Sequence, residues 1–514
     1  MIIFGVGVVV LTVVVVGMVV ARKVGGDSTN FLVAGRGLAV PLVGASMMSQ
    51  AVDSNATLGN TDLAARYGFW AGVSLPLGLA LCLLLTGLFI AKPMNRMGLL
   101  TLPDFFRLRY GRAVEVVSSV LMIFAFCILL AGNLVAGGFL FEEFLGISYA
   151  AGVLLIVTLV LACSIAGGMF SNAWIAVIKM VIVVAATAAL LGWFAATYGI
   201  TAPDGMGPFD LGQLTSADQG AMVNWATLIA LGVGDIVAID FMQRIFSART
   251  PEVARRACYF GAAGTVLVGV PFALVAVSSV AVLGDAVGDG PVLFTLLDDY
   301  APIGLAILVL SGIVAASFAT ASGAILASAA VAAHNISGVR QPASPGGPDR
   351  LLRATRIAFV PVAGLGVFFA LRVPQTGILL TLAFDLMLAC LAVPFLLGLF
   401  WRRSTTAAAG AAIVAGAVVR LVLFALTPTV YGAENTLLYV PNDVVGAGFD
   451  GWPTFLAAAA SLATFLVTAL RRPGRTVVVP AEPEPEPPGA GRRGLTAWTG
   501  SRSLSRPTGK LVRP

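Results

Sequence analysis

The chain has 514 residues, 58% of them apolar and 11% charged, against roughly half and about a quarter in an ordinary soluble domain. That balance excludes a soluble globular enzyme and fits a polytopic membrane protein built from apolar helices of about 20 residues each. The net charge of +6 does not point to nucleic acid, because the basic residues stand in short clusters between apolar runs, where they set orientation in the bilayer.

Thirteen apolar runs follow one another: Ile2 to Ala21, Leu38 to Ala64, Phe69 to Met94, Val114 to Phe141, Ser148 to Ala166, Ala173 to Ile200, Ala221 to Ile245, Arg256 to Leu283, Ala301 to Ile336, Leu352 to Leu371, Gly377 to Trp401, Thr406 to Leu426 and Trp452 to Leu470. The first has no basic segment before it and no small-residue cleavage site, and Arg22 and Lys23 follow it. It therefore reads as a retained span and not a signal peptide.

Loop charge alternates along this series. Lys92, Arg96, Arg107, Arg109 and Arg112 fall on one side with Arg244, Arg249, Arg255 and Arg256, with Arg340, Arg350, Arg353 and Arg356, and with Arg402, Arg403, Arg471, Arg472 and Arg475. The other side holds Arg66 and Arg372 and gathers acids such as Glu142, Glu143, Asp204, Asp210, Asp285, Asp289, Asp298, Asp299, Glu434 and Asp443. Lys and Arg concentrate on the cytoplasmic side, so the expectation is a cell-membrane protein with its N-terminus outside and its C-terminus inside. Residues 471–514, with their Pro-Glu repeats and scattered arginines, are expected to form a disordered cytoplasmic tail. Five cysteines (Cys82, Cys127, Cys163, Cys258, Cys390) lie inside apolar runs without C-x-x-C spacing. They read as small buried hydrophobes and indicate neither a disulfide framework nor a zinc site.

Polar residues at membrane depth are costly, and each one kept is a functional candidate. The second run is interrupted by Ser49, Gln50, Asp53, Ser54, Asn55 and Thr57, and the seventh by Gly232, Gly234, Asp235 and Asp240 before Gln243 and Arg244. Asp53 and Asp235 stand 182 positions apart, and at that offset five runs are followed by five more. Polar breaks at matching places in two five-span halves mark the midplane site of a secondary transporter. The bland reading is that both acids cap helix breaks.

Several segments then resemble one family. Asn30-Phe31-Leu32-Val33-Ala34-Gly35-Arg36-Gly37, Thr101-Leu102-Pro103-Asp104-Phe105-Phe106 with Arg109-Tyr110-Gly111, Gly167-Gly168, Gln243-Arg244-Ile245-Phe246-Ser247-Ala248-Arg249 and Gly398-Leu399-Phe400-Trp401-Arg402 are similar, in order and spacing, to the sodium:solute symporter family. The resemblance runs from about Asn30 to Arg403. It implies an all-α inverted repeat of five plus five helices with one helix before and two after. In residues, that is a leading helix and loop (1–37), a transporter core (38–401, halves 38–200 and 221–401), two trailing helices (402–470) and the tail. It also implies sodium-coupled uptake of a small polar solute by alternating access, with the bilayer, the solute and a coupling ion (sodium, or a proton if Lys179 replaces it) as partners and no organic cofactor.

Carried over by motif, the resemblance implies a sodium site at Ala51, Ser54, Ala316, Ala319 and Thr320, and solute contacts at Gln50, Asp53, Asn55, Asn133, Asp235 and Asp385. For Asn133 an interhelical hydrogen bond is the equal alternative. Two positions depart from the family pattern: Ala319 replaces one of two adjacent hydroxyls, and Ala176 stands where an acid is usual, with Lys179 three residues on. Fewer ligands and a built-in cation point the same way. The Lys179 ammonium is expected to abut the vacated sodium position, bonded to Thr320 and carbonyls of the second run and paired with Asp53, so that coupling is to protons, or absent, and not to sodium. The equal alternative is that Lys179 snorkels to the interface and sodium coupling stands. His334 reads as a helix-end residue, and Arg420 as snorkelling or packing. A sensor that signals through a partner is a second class of function. An intramembrane aspartyl protease is a third, since Gly232-Val233-Gly234-Asp235 fits its G-x-G-D pattern, but the preceding run lacks the second aspartate.

Overall fold

The computed structural model describes residues 2–284, 287, 291–340 and 349–471. Asp285, Asp289, Arg472, Arg475 and the tail expected from 472 onward lie outside the described residues. Backbone groups in a bilayer have no water to bond, so the apolar runs fold as helices that satisfy their own N–H and C=O groups. In chain order these are α1 (Ile2–Ala21), α2 (Val40–Ala51), α3 (Asn60–Tyr67), α4 (Phe69–Leu85), α5 (Pro103–Tyr110), α6 (Arg112–Leu145), α7 (Tyr149–Thr197), α8 (Ala221–Ile229), α9 (Ile239–Ser247), α10 (Pro251–Leu283), α11 (Ile303–Val331), α12 (Arg350–Arg372), α13 (Thr376–Met387), α14 (Val393–Phe400), α15 (Thr406–Leu426) and α16 (Trp452–Arg471). Strand structure among the described residues is a two-residue hairpin, Thr429–Val430 with Ala433–Glu434.

Ten of these helical stretches are long and apolar enough to cross a membrane, or eleven when the pair Ala221–Val237 and Ile239–Ser247, bent by 47°, is taken as one. The thirteen predicted runs all lie on helix, with two differences. The run Leu38 to Ala64 is not continuous: α2 ends at Ala51, Val52 (φ −94°, ψ 74°) leaves the helical region, and a π turn at Asn55–Gly59 leads into α3. Conversely, the fifth and sixth runs share the 49-residue α7, which bends at Gly168 (φ 52°, ψ −139°) and does not open into a loop. No proline or charge stands between them to end the helix, and Gly168 absorbs the turn. A Cβ there would run into the Phe31 carbonyl.

The two broken spans are tied together at one end. Leu38 N–H donates to the Ser247 carbonyl at 3.1 Å, and Arg249 N–H donates to the Leu38 carbonyl at 3.1 Å. The start of α2 and the end of α9 thus form a one-residue parallel bridge. Helices α7 and α11 pack against α2 on its other flank, and the trailing pair α15 and α16 pack on each other and on the π turn Leu388–Ala392. All five cysteines are free and buried.

Candidate functional site

Where α2 stops, the chain has to re-enter a helix, and Asp53 organises the restart. Its Oδ1 accepts from the Ala56 amide at 2.7 Å, the bond an N-capping aspartate makes to the third residue on. Its Oδ2 accepts from Asn55 Nδ2 at 2.7 Å and from Asn133 Nδ2 at 2.9 Å. Asn133 also accepts from the Ser54 hydroxyl at 2.8 Å, and its backbone carbonyl takes the Ser317 hydroxyl. One carboxylate therefore joins the broken span to α6 and, through Asn133, to α11. The capping role and the interhelical role weighed from the sequence are both present.

The end of α2 exposes carbonyls that a regular helix would occupy, and side chains take them. Lys179, with no exposed surface, donates from α7 to the Ser49 carbonyl, so it does not snorkel. Thr320 on α11 donates to the same carbonyl at 3.2 Å. The Ala319 carbonyl accepts from Gln50 Nε2 at 3.3 Å and from Asn172 Nδ2 at 3.1 Å. Lys179 and Thr320 thus meet on one oxygen without bonding each other, and the expected Lys179–Asp53 pair does not form, because the Asp53 oxygens are taken by Ala56, Asn55 and Asn133. Ser322 lies on a different face of α11, taking the Ser164 hydroxyl at 2.7 Å. Ala51 and Ala316 are fully buried, on α2 and α11.

Asp235 lies in the second broken span, at the start of a 3-10 turn that ends at Ala238 (ψ 122°), where the helix direction changes into α9. It is 1% exposed, and neither carboxylate oxygen accepts a hydrogen bond. The Cys82 thiol stands nearby, a weak donor whose Sγ sits 3.9 Å from the Thr86 hydroxyl. Gly234 presses on the Phe384 carbonyl of α13. Asp385, the next residue on α13, is engaged elsewhere: its Oδ2 takes the Arg420 Nε of α15 in a buried ion pair. Arg420 also lies over the Phe424 ring at 5.4 Å. It therefore neither snorkels nor merely packs.

Two basic residues assigned to a loop from the sequence are structural. Arg244 has no exposed surface; its Nε donates to Ser46 Oγ at 2.8 Å, Nη1 to the Asp240 carbonyl at 2.8 Å and Nη2 to Asn172 Oδ1 at 2.6 Å. Arg109 binds the Gly398 carbonyl at 2.9 Å and the Trp401 carbonyl at 3.0 Å. Asn172 was missed in the sequence; the available signal is an amide four residues after the Gly167-Gly168 pair, between the fifth and sixth apolar runs. His334 lies at a helix end as expected, 3.2 Å from Asp104 Oδ1.

The arrangement of two broken helices around buried polar groups can now be set beside known proteins. A curated protein named Uncharacterized symporter YwcA, from Bacillus subtilis (strain 168), is 22% identical over 81% of this chain and 85% of its own length. High-affinity choline transporter 1 of Caenorhabditis elegans is 25% identical over 78% of this chain and 72% of that protein. The solved structure of a Na+-coupled sialic acid symporter, in a substrate-bound outward-open state, superposes with a TM-score of 0.69 over 93% of this chain and 99% of that one, at 16% identity. That likeness shows a shared fold. A family model described as Sodium:solute symporter family matches residues 31–416, a stretch that contains both breaks, Lys179 and α11. The chain is thus a multi-pass membrane transporter and not an enzyme, and it belongs to the sodium:solute symporter family.

Proposed function

We propose that the chain is a secondary active symporter that carries a small polar solute into the cell by alternating access, with Lys179 standing where the family's sodium ion would bind. The reading takes α7 as two spans and each broken helix as one, which gives thirteen spans, an outer N-terminus and an inner C-terminus. The observation that carries it is the meeting of Lys179 and Thr320 on the Ser49 carbonyl at the break of the second span. Oxygens freed by a broken helix are what a hard cation takes in such folds, and here an ammonium takes one of them. A lysine held in an apolar interior readily changes protonation, so coupling to protons replaces coupling to sodium. Gln50, Asp53, Asn55, Asn133 and Asp235 surround the same region as solute or positioning residues, and Asp385 acts through its pair with Arg420.

The relatives do not choose the solute. Choline is a cation and sialic acid an anion, and the scaffold alone does not fix the cargo. A thermal-shift screen of small polar solutes identifies it, since a ligand at 100 times its Kd stabilises by about 2.7 kcal/mol. Uptake of that solute in proteoliposomes is then measured under sodium and pH gradients for the wild type and Lys179→Gln. The expected result is a wild type indifferent to sodium, with any pH response removed by the substitution. Saturable sodium stimulation of the wild type that persists in Lys179→Gln contradicts the assignment of Lys179.

A further inference from the structure

Many basic residues on the arginine-rich side of the bundle have partners. Lys92, Arg255 and Arg256 contact Glu252 at 2.9, 2.7 and 3.3 Å, Arg107 and Arg112 contact Glu115 at 3.6 and 2.9 Å, and Arg109 holds the Gly398 and Trp401 carbonyls. Arg353 and Arg356 of α12 differ, making no ion pair or hydrogen bond with any described residue. The Arg356 Nε is buried with its donor unused, and the guanidinium lies over the Phe31 ring at 5.4 Å, a contact that positions it without consuming an N–H. With Arg350, these arginines stand in the first two turns of α12, the end at which the helix dipole is positive and disfavours cations. Asp349 does not answer them, because its carboxylate accepts from the Leu352 amide at 2.9 Å and the Ser28 amide at 2.7 Å. An anion from outside the chain supplies the missing partner.

The two arginines head an open groove of about 750 Å³ between α12 and Gly26 of the loop after α1, with Ile357, Val360 and Pro361 as its wall. Two guanidinium groups against one carboxylate whose oxygens are taken leave its lining positive. Ile357 and Val360 are each 63% exposed, and Phe368 and Leu371 are exposed beyond them. At helical spacing Arg353, Ile357, Val360, Phe368 and Leu371 share one face, and Arg350–Arg372 is long and apolar enough to cross a membrane, so this face meets hydrocarbon. From Arg353 to Val360 the wall runs about 10 Å at 1.5 Å per residue. Guanidinium forks match phosphate oxygens, and basic pockets between spans hold anionic lipid headgroups. A free phosphate has no use for the apolar wall. Charges that served only to orient the chain would need neither the groove nor the unused Arg356 donor.

We infer that this groove binds one anionic phospholipid of the adjoining leaflet, with its phosphate on Arg353 and Arg356 and the start of an acyl chain along Ile357 and Val360. The site is separate from the two broken spans and holds whichever solute or ion the chain carries.

The test is native mass spectrometry of the purified full chain, delipidated in detergent and titrated with dioleoyl phosphatidylglycerol, with dioleoyl phosphatidylcholine, and with glycerol 3-phosphate as the soluble headgroup. The expected result is about tenfold tighter binding of the first phosphatidylglycerol than of phosphatidylcholine, and no binding of glycerol 3-phosphate at the same concentration. The preference is expected to vanish in Arg353→Gln combined with Arg356→Gln, and to persist in Arg402→Gln combined with Arg403→Gln, which removes the same charge from another loop on that side. Arg353→Gln alone, at an exposed side chain, is expected to weaken the preference severalfold, so the outcome does not depend on the folding of the double variant. Equal binding of the two lipids, a preference undiminished in the Arg353 and Arg356 variants, or one lost equally in the Arg402 and Arg403 variant overturns the inference. Binding of glycerol 3-phosphate as tight as that of the lipid makes the groove a phosphate site and overturns it too. So does a preference that appears only when Glu482, Glu484 and Glu486 of the full chain are changed to glutamine, since the acidic tail would then be the occupant.

Discussion

Arg420 and Lys179 show what burial does to a basic residue in an apolar run: each must find an acceptor inside the protein. Lys179 takes the Ser49 carbonyl, and Arg420 takes Asp385. Removing one partner of a buried pair leaves the other charge uncompensated, at a cost of about 3 to 5 kcal/mol, whereas replacing both with apolar groups is close to neutral. Arg420→Met is therefore expected to lower thermal stability by that order in detergent, and Asp385→Leu combined with Arg420→Met to recover most of it. A single variant as stable as the double would show that the pair carries no energy. In the sequence the types of these residues were legible and their partners were not. Asp385 and Arg420 sit 35 positions apart on different helices, and an apolar run gives no sign of which face meets which neighbour. The same limit hid Arg244, a residue that reads as a loop charge because it stands at the end of its apolar run, yet fills the interior with Asn172 and Ser46.

At the scale of elements, helix existence was legible throughout, since long apolar stretches dictate it, and the interruptions were legible as polar clusters. What a break looks like was not. The second run breaks at Val52, beside its aspartate, but the seventh turns at Ala238, three residues past Asp235, and Gly168 bends α7 without ending it. Gly168→Ala is expected to destabilise the fold by more than about 1 kcal/mol, because a side chain at positive φ is strained and a Cβ there meets the Phe31 carbonyl. A variant melting within a degree of wild type would contradict this.

The short helix α5 makes a second, pH-dependent link. Asp104 accepts from the Thr101 amide at 3.1 Å and from Asn335 Nδ2 at 2.9 Å, and lies 3.2 Å from His334 Nε2. Burial works against the Asp104 charge, but the His334 contact and these bonds outweigh it and hold its carboxyl below the usual 3.8. A depressed carboxyl adds stability that is present above its unfolded value and lost as pH falls through the folded one. Stability is thus expected to drop below about pH 4, and Asp104→Asn to flatten that limb, as followed by thermal melts from pH 3 to 7. An unchanged acid limb in Asp104→Asn would remove the residue from the account.

For the molecule as a whole, the all-helical membrane architecture was legible because apolar runs of span length fill most of the chain and two of them carry polar breaks. The polar breaks were legible as regions, and which side chains meet there emerged only when the residues were placed side by side. The central claim is that this bundle couples solute movement to an ion. One cation moving down a roughly fiftyfold concentration gradient supplies about 2.3 kcal/mol, enough for roughly fiftyfold accumulation of the solute at 1.4 kcal/mol per tenfold. The direct measurement is uptake of the identified solute into proteoliposomes with the membrane potential held at zero and an inward gradient of protons or of sodium of about fiftyfold imposed, with and without an ionophore that dissipates it. The account predicts accumulation well above the external concentration, up to about fiftyfold and collapsing when the driving gradient is dissipated. Uptake that stops at equal concentrations inside and out, indifferent to potential and to any ion gradient, would contradict it.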